Sequence, residues 1–398
     1  MLQHGGLPAC CERVSGQGEC GYRAGAARRG DHMPQSMQEW SAPLAARKVA
    51  VTGASGFIGR RLVRALCAAG ADVTALLRSR HEARTMERMG ARVALAGLVP
   101  GRALDAALTG QEIVFNLAYD VRAGGAENLA AFDALLAAAA RAGAGRIVHA
   151  SSAVVYDDWP AGRLDEEAPI GAPGGGGYRQ AKIAMENRLM EAGFESAILQ
   201  PTIVYGPGSG LWTDAPMAAL RQGPVVLPDP VGQCPAVFVD DVVQAALRAG
   251  AAPDLGRERF LITGADQPGW DAFFRGYAGV LGQGEVVLKP LAELEARLGP
   301  PPAPSPETAS ETGPPLAARV SAQLRRMLGR RRFEAVMTRA RALRPARGPV
   351  YPNRALLALY AARPAIEIRR AEARLGYVPE FSFQNGLAAI QEQLRETG

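Results

Sequence analysis

Val51-Thr52-Gly53-Ala54-Ser55-Gly56-Phe57-Ile58-Gly59 joins a β-branched apolar run, Val49–Thr52, to a helical pattern over Gly59–Ala69. Leu62, Val63 and Leu66 fall on one face of that helix. Strand, glycine turn and helix in this order suit the pyrophosphate of a dinucleotide. Gly53 permits the tight turn, Gly56 lets a pyrophosphate approach the backbone, and Gly59 lets helix and strand pack closely. Free N–H groups and the positive dipole end of the helix then face the phosphates. Phe57 and Ile58 lie in the same turn and join the glycines as candidate contacts. A glycine pattern alone also describes a plain tight turn; the flanking elements separate the two readings.

Working outward, strand and helix signals alternate. Val73–Leu77, Val93–Ala96, Ile113–Leu117 and Ile147–Ala150 read as further strands, with helices at Ala103–Leu108 and from about Asn128 to Ala142. This βαβαβ rhythm predicts an α/β chain with a Rossmann-type, doubly wound parallel sheet. The second half is mixed. Tyr178–Ala192 and Asp240–Ala249 read as helices, Ala197–Leu199 and Phe260–Thr263 as strands, and a last helix lies around Gly386–Leu394. The expected division is a disordered tail over 1–46 and a dinucleotide-binding domain with the catalytic residues over 47–205. A smaller, mixed substrate lobe interleaved with the sheet follows over 206–299, then a Pro-rich linker over 300–315 and a basic helical C-terminal region over 316–398. Met33 and Met37 are alternative starts within the tail.

The chain has 398 residues, 48% of them apolar, which supports a sizeable core. Its net charge of +6 suits an anionic ligand without requiring nucleic acid. Five cysteines, three of them at Cys10, Cys11 and Cys20, form no disulfide framework, and a metal on those three would lack a convincing fourth ligand although His4 and His32 are nearby, so no metal site is expected. A reducing cytoplasm is the expected compartment. No run has the apolar length of a transmembrane helix, and the N-terminus has no hydrophobic signal core.

Tyr178-Arg179-Gln180-Ala181-Lys182 places a phenol and an ammonium on one helix face. A phenol near its reference pKa of about 10 is a poor acid or base at neutral pH. A neighbouring ammonium favours phenolate and lowers that value, so the tyrosine can move a proton to or from a substrate oxygen. The bland alternative is an exposed helix face. Upstream, the strand Ile147–Ala150 runs into Ser151-Ser152-Ala153-Val154-Val155-Tyr156.

Together these motifs resemble the extended branch of the short-chain dehydrogenases, which includes sugar-nucleotide epimerases and dehydratases, hydroxysteroid dehydrogenases and flavanone-type reductases. The likeness covers about 47–265, and the last helix loosely. The Gly-x-x-Gly-x-x-Gly spacing, the Ser151–Tyr156 strand end, the acidic turn Leu164–Pro169 and the junction Phe238-Val239-Asp240-Asp241-Val242 carry it. The resemblance implies a catalytic set of Ser152, holding the substrate oxygen, with Tyr178 as acid/base and Lys182. It implies cofactor contacts at Leu117 and Ala118 and nicotinamide-side contacts at Ser151, Pro201 and Ile203, with Tyr178 and Lys182 also touching the cofactor. Asn128 matches an asparagine that supports the site, or serves as a helix N-cap. Two departures stand out. Ala96-Gly97-Leu98 lacks the family's Asp after the third strand, and Gly232–Val237 lacks the arginine that often grips a sugar-nucleotide diphosphate.

The expected function is an NAD(P)-dependent oxidoreductase or epimerase/dehydratase-type enzyme acting on a hydroxyl or carbonyl carbon of a sugar nucleotide or lipid-like substrate. The alternative is a non-catalytic NAD(P)-binding regulator or scaffold. NADP is the preferred cofactor and NAD the second option. The second strand ends Leu76-Leu77-Arg78-Ser79-Arg80 with no acid for a ribose 2′-hydroxyl, while Arg78 or Arg80 suits a 2′-phosphate. The expected partner is a small molecule, not nucleic acid, with a homodimer left open. Residues 316–347 pair an apolar stripe with a dense arginine face, a pattern for peripheral contact with the inner membrane face, for packing on the lobe, or for closing over a diphosphate.

Overall fold

The computed structural model describes residues 42–300 and 348–397. The expectations for most of the N-terminal tail, for the Pro-rich linker and for the amphipathic stretch 316–347 lie outside the described residues. In chain order the described part runs β1 (Lys48–Thr52), α1 (Phe57–Ala68), β2 (Asp72–Leu77), α2 (Ala83–Arg88), β3 (Arg92–Leu95), α3 (Arg102–Leu108), β4 (Ile113–Asn116), α4 (Gly125–Ala142) and β5 (Arg146–Ala150). It continues through β6 (Arg163–Leu164), α5 (Gly176–Glu191), β7 (Glu195–Pro201), β8 (Ile203–Tyr205), α6 (Ala215–Gln222), β9 (Val225–Asp229), β10 (Ala236–Phe238), α7 (Val239–Ala251) and β11 (Arg257–Ile262). The last elements are α8 (Trp270–Leu281), β12 (Val286–Pro290), α9 (Leu291–Leu298), α10 (Arg354–Ala361), β13 (Ala365–Ile366), α11 (Arg369–Leu375) and α12 (Phe383–Thr397).

Strands with apolar residues at successive positions must be covered on both faces. β1 has only Lys48 exposed, and all four residues of β4 are buried. They lie in the middle of a seven-stranded parallel sheet in the order β11-β7-β5-β4-β1-β2-β3. This is the doubly wound Rossmann-type sheet that the alternation predicts. One face is covered by α1 and α7, whose Leu62, Leu66, Val242 and Leu247 share a core with Val49 and Phe115. The other is covered by α3, α4 and α5 through Leu104, Leu135 and Met185. Chain order reverses between β1 and β4, and the crevice beyond their C-terminal ends is where open α/β sheets hold ligands.

A smaller lobe grows from the strand ends. Its strands come in parallel pairs, β8 with β10 and β9 with β12. Its core is aromatic, with Tyr205, Phe238, Trp270, Phe273, Tyr277 and Phe383 together. The segment after 348 is spread over both parts: β13 pairs with β6, while α12 packs against α8 in the lobe. Among the described residues no helix is long and apolar enough to cross a membrane.

Candidate active site

The glycine turn needs glycine for steric reasons that the backbone makes explicit. Gly53 has φ +64°, and a Cβ there would stand 2.7 Å from the Leu117 carbonyl and 2.9 Å from the Ala118 nitrogen. A Cβ at Gly59 would lie 2.2 Å from the Gly53 oxygen, and one at Gly56 3.0 Å from the same atom. The turn is therefore folded against itself and against the chain leaving β4. Gly56 is the N-cap of α1 and offers no side-chain cap, so Phe57, Ile58 and Gly59 open the helix with backbone donors only. That arrangement fits a dinucleotide pyrophosphate. Phe57 and Ile58 also pack against the core that contains Ile203.

The C-terminal end of β5 meets the start of α5 in the same crevice. Ser152 caps a single 3-10 turn, Ala153–Val155, and its Oγ accepts from the Val154 N–H at 3.4 Å. Tyr178 sits three residues into α5 and shares a hydrogen bond with Ser152 that pulls its pKa down; burial pushes it up by more. The residue nevertheless remains 42% exposed, on the open side of the site. Lys182 follows one helical turn later and is buried, with Nζ donating to the Ala150 oxygen at 2.7 Å. Burial brings its pKa down to about 8, while Glu186 acts in the opposite direction. The three residues expected from sequence are thus brought together. The sign expected for Tyr178 is not: its phenol lies above the ordinary value. The physical reason is that the ammonium faces the Ala150 carbonyl and stands 6.0 Å from the centre of the Tyr178 ring.

Several neighbours complete the site, and sequence reasoning assigns no role to Tyr119, Arg179 or His149 among them. Tyr119 packs edge-on to Tyr178 with centroids 4.9 Å apart, and its ring lies 4.9 Å from Lys182 Nζ. Arg179 is buried and clamps the two halves of the site. It donates to the carbonyls of Val154 and Val155 at 3.0 Å each and of Ala172 at 2.6 Å, and it pairs with Asp157. Asn128 is the fourth residue of α4, whose N-cap is Gly124, so it is no N-cap. Its side chain instead braces the loop after β4, accepting from the Asp120 N–H at 2.8 Å and donating to the oxygens of Asp120 and Gly124 at 3.0 Å. Thr52, Asn116 and His149 form a buried chain across β1, β4 and β5, with links of 2.6 and 3.0 Å.

The remaining expected contacts spread across the same sheet edge. Ser151 follows β5 and donates to Glu186 at 2.5 Å, and Pro201 ends β7. Arg78 follows β2, on the far side of β1 from Ser152. Its guanidinium pairs with Asp120 at 2.7 Å and is 69% exposed. That bond and the Arg122 contacts hold the Asp120 carboxylate low, at about 2. In the Gly232–Val237 stretch, where an arginine is missing, a Cβ at Gly232 would stand 2.2 Å from the Ala362 oxygen. The nearby Arg363 guanidinium donates to the Val231 carbonyl at 3.0 Å.

A parallel seven-stranded sheet, a glycine turn at its switch point and a Ser/Tyr/Lys group beyond β5 define a nicotinamide-dinucleotide-binding protein of the reductase and epimerase kind. Residues 49–262, more than half of the chain, match the NAD dependent epimerase/dehydratase family, and the chain belongs to it. It is 34% identical over 166 residues to the 4-hydroxy-2-methyl-3-oxo-4-farnesyl-3,4-dihydroquinoline-1-oxide ketoreductase of Stigmatella aurantiaca, covering 39% of this chain and 50% of that one. It is 27% identical over 238 residues to the ceramide reductase of Caulobacter vibrioides, covering 59% and 70% respectively. The match to the first thus spans half of that protein's length. An epimerase structure from Methanothermobacter thermautotrophicus superposes with a TM-score of 0.66 at 17% identity, over 91% of this chain and 96% of that one, a likeness of fold.

Proposed function

We propose that the protein is an NAD(P)-dependent oxidoreductase that interconverts a hydroxyl and a carbonyl on a lipid-like substrate. The observation that carries this reading is the meeting of Ser152, Tyr178 and Lys182 beyond β5, with a half-open phenol beside a buried ammonium. When bound, the nicotinamide ring supplies or takes up a hydride. Tyr178 moves the matching proton at the substrate oxygen, and the Ser152 hydroxyl holds that oxygen by a hydrogen bond. Lys182 places positive charge one turn below the phenol. Gly53, Gly56, Phe57, Ile58 and Gly59 hold the pyrophosphate, Leu117 and Ala118 touch the cofactor beside that turn, and Ser151, Pro201 and Ile203 line the nicotinamide side.

The lipid-like class is favoured over a sugar nucleotide by two observations. The Gly232–Val237 stretch has no arginine for a diphosphate and lies against the backbone of Ala362. Exposed apolar side chains are Val121, 85% exposed on the loop that follows β4, and Leu211, 66% exposed on the helical turn Gly210–Asp214 after β8. The names of the two relatives, which act on a farnesylated ketone and on a ceramide, agree. Reduced cofactor offered with a long-chain oxo compound should be oxidised, and with a nucleotide-linked 4-oxo sugar it should not. Turnover of the sugar nucleotide alone would replace the substrate class. Cofactor binding without turnover of either compound would favour the non-catalytic regulator.

NADP(H) is the preferred cofactor in this reading. An exposed ion pair such as Arg78–Asp120 is worth about 0–1 kcal/mol, less than a charge-assisted fork on a 2′-phosphate, so the pair yields to the ligand. Fluorescence titration should give the tighter constant for NADPH, and Arg78→Ala should abolish the difference. Tighter NADH binding by the natural chain contradicts the preference.

A further inference from the structure

Tyr178, Lys182 and Glu186 recur every four residues along α5, so they share one helix face. Glu186 lies beneath the other two and has 0% of its surface exposed. A carboxylate taken out of water is tolerated when its lone pairs are filled, and the partners of Glu186 come from three strands. Ser151, just past β5, donates its hydroxyl to Oε1 at 2.5 Å. Gln200 of β7 donates from Nε2 to both oxygens, at 3.0 and 3.1 Å. Tyr156 fixes that amide in turn by donating to its Oε1 at 2.5 Å. Arg259 of β11 donates to Glu186 Oε2 at 2.7 Å.

We infer that Glu186 is a positioning residue of the reaction centre: it orients Ser151, ties α5 to the ends of β5 and β7, and sets a fixed negative charge one helical turn beneath Lys182. The inference rests on the reading of Lys182 and Tyr178 as working groups. A serine has one proton to donate. With that proton committed to Glu186, Ser151 meets anything on its open side as an acceptor. The second consequence is electrostatic. Burial drains the Lys182 ammonium of stability, and Glu186 is the group that restores it. The other groups facing Lys182 do not. His149 of β5 is held neutral by burial and by Lys182 itself. Tyr119 and Tyr178 contribute rings, and burial keeps both phenols protonated. Arg259 is a cation that partly offsets Glu186.

The chain has three lysines, Lys48, Lys182 and Lys289, so NMR of the full chain labelled with 13Cε-lysine resolves Lys182, identified by the signal missing in Lys182→Arg. Its titration midpoint is expected near 8. Glu186→Gln removes the charge at nearly constant shape and is expected to lower that midpoint by about one unit. Glu186→Asp keeps the charge and is expected to recover most of the shift. Melting temperature recorded alongside separates the two roles: a merely structural Glu186 changes stability and leaves the lysine midpoint where it was. A folded Glu186→Gln with an unmoved midpoint overturns the inference. If Glu186→Gln does not fold, Arg259→Gln replaces it. Loss of the opposing cation should raise the Lys182 midpoint, and an equal or lower midpoint overturns the inference as well. Turnover enters neither readout, so this test and the Tyr178 assignment fail independently.

Discussion

At the scale of single residues, the spacing between Ser152 and Tyr178 is set by Arg179. Its fork reaches the carbonyls of Val154 and Val155 on one side and of Ala172 on the other, so it fixes the turn that follows Ser152 to the start of the helix that carries Tyr178. Lysine has a point charge where arginine has a fork. Arg179→Lys therefore leaves buried carbonyls without donors and is expected to cost about 2–4 kcal/mol of stability, together with turnover, while the glycine turn still binds cofactor. Urea unfolding and cofactor titration of the variant check this; unchanged stability would mean that the clamp is redundant. Tyr178 and Lys182 are legible in sequence because a helix converts an interval of four into a shared face. Arg179 sits inside the same motif and is not legible, because its role depends on carbonyls that only the folded loop presents. Glu186 has the right interval too, but a glutamate is read as solvated unless its partners are known, and those partners lie on β5, β7 and β11.

At the scale of elements, the reaction centre depends on how closely α4 and α5 approach. A Cβ at Gly125 would stand 2.9 Å from the Gly177 oxygen and 3.4 Å from the Ala181 Cβ. Alanine in a helix ordinarily gains about 0.5–1 kcal/mol over glycine, whereas overpacking of this kind costs about 1–3 kcal/mol. Gly125→Ala is expected to be net destabilising in a denaturant titration, and a neutral or stabilised variant would show that the helix starts have room. The long elements follow from hydrophobic period: β1, β2, β4, β5 and α4 fall within a few residues of the expected segments. The lobe was legible only as mixed, because its strands β8 and β10 have three residues each, too few for alternation to show. The start of α4 is misread for a related reason. Asn128 looks like a cap from its residue type, yet two glycines before it, Gly124 and Gly125, already carry the helix start.

At the scale of the whole molecule, the last described segment is tied to the middle of the chain by buried polar contacts. Asp241 at the start of α7 accepts from the N–H groups of Glu380 at 2.8 Å and Phe381 at 3.3 Å, and the Tyr377 hydroxyl donates to the Thr263 oxygen at 2.8 Å. These contacts join residues more than a hundred positions apart, which is why the sequence shows the Asp240-Asp241 junction but not what it holds. Burial pushes the Asp241 carboxyl up to about 7, against an unfolded value of about 3.9. The folded state therefore binds this proton more tightly than the unfolded chain. Its contribution to stability is complete below the unfolded value and is lost as pH rises through about 7. Between about pH 5 and about pH 7 this group should make the melting temperature fall, and Asp241→Asn should flatten that slope in calorimetry. An equal slope in the variant would mean that Asp241 is ionised throughout.

The central claim, that Tyr178 moves the proton in a nicotinamide-dependent reaction, is tested most directly by Tyr178→Phe with two readouts on one preparation. The phenol's hydrogen bond joins Ser152, while the glycine turn stands on its own packing. Cofactor affinity should therefore stay within a small factor of the natural chain, and turnover of the substrate that the natural chain reduces should fall by about 10²-fold or more, the usual scale for loss of an acid/base. Turnover within a few-fold of the natural chain, at unchanged cofactor affinity, would contradict the assignment.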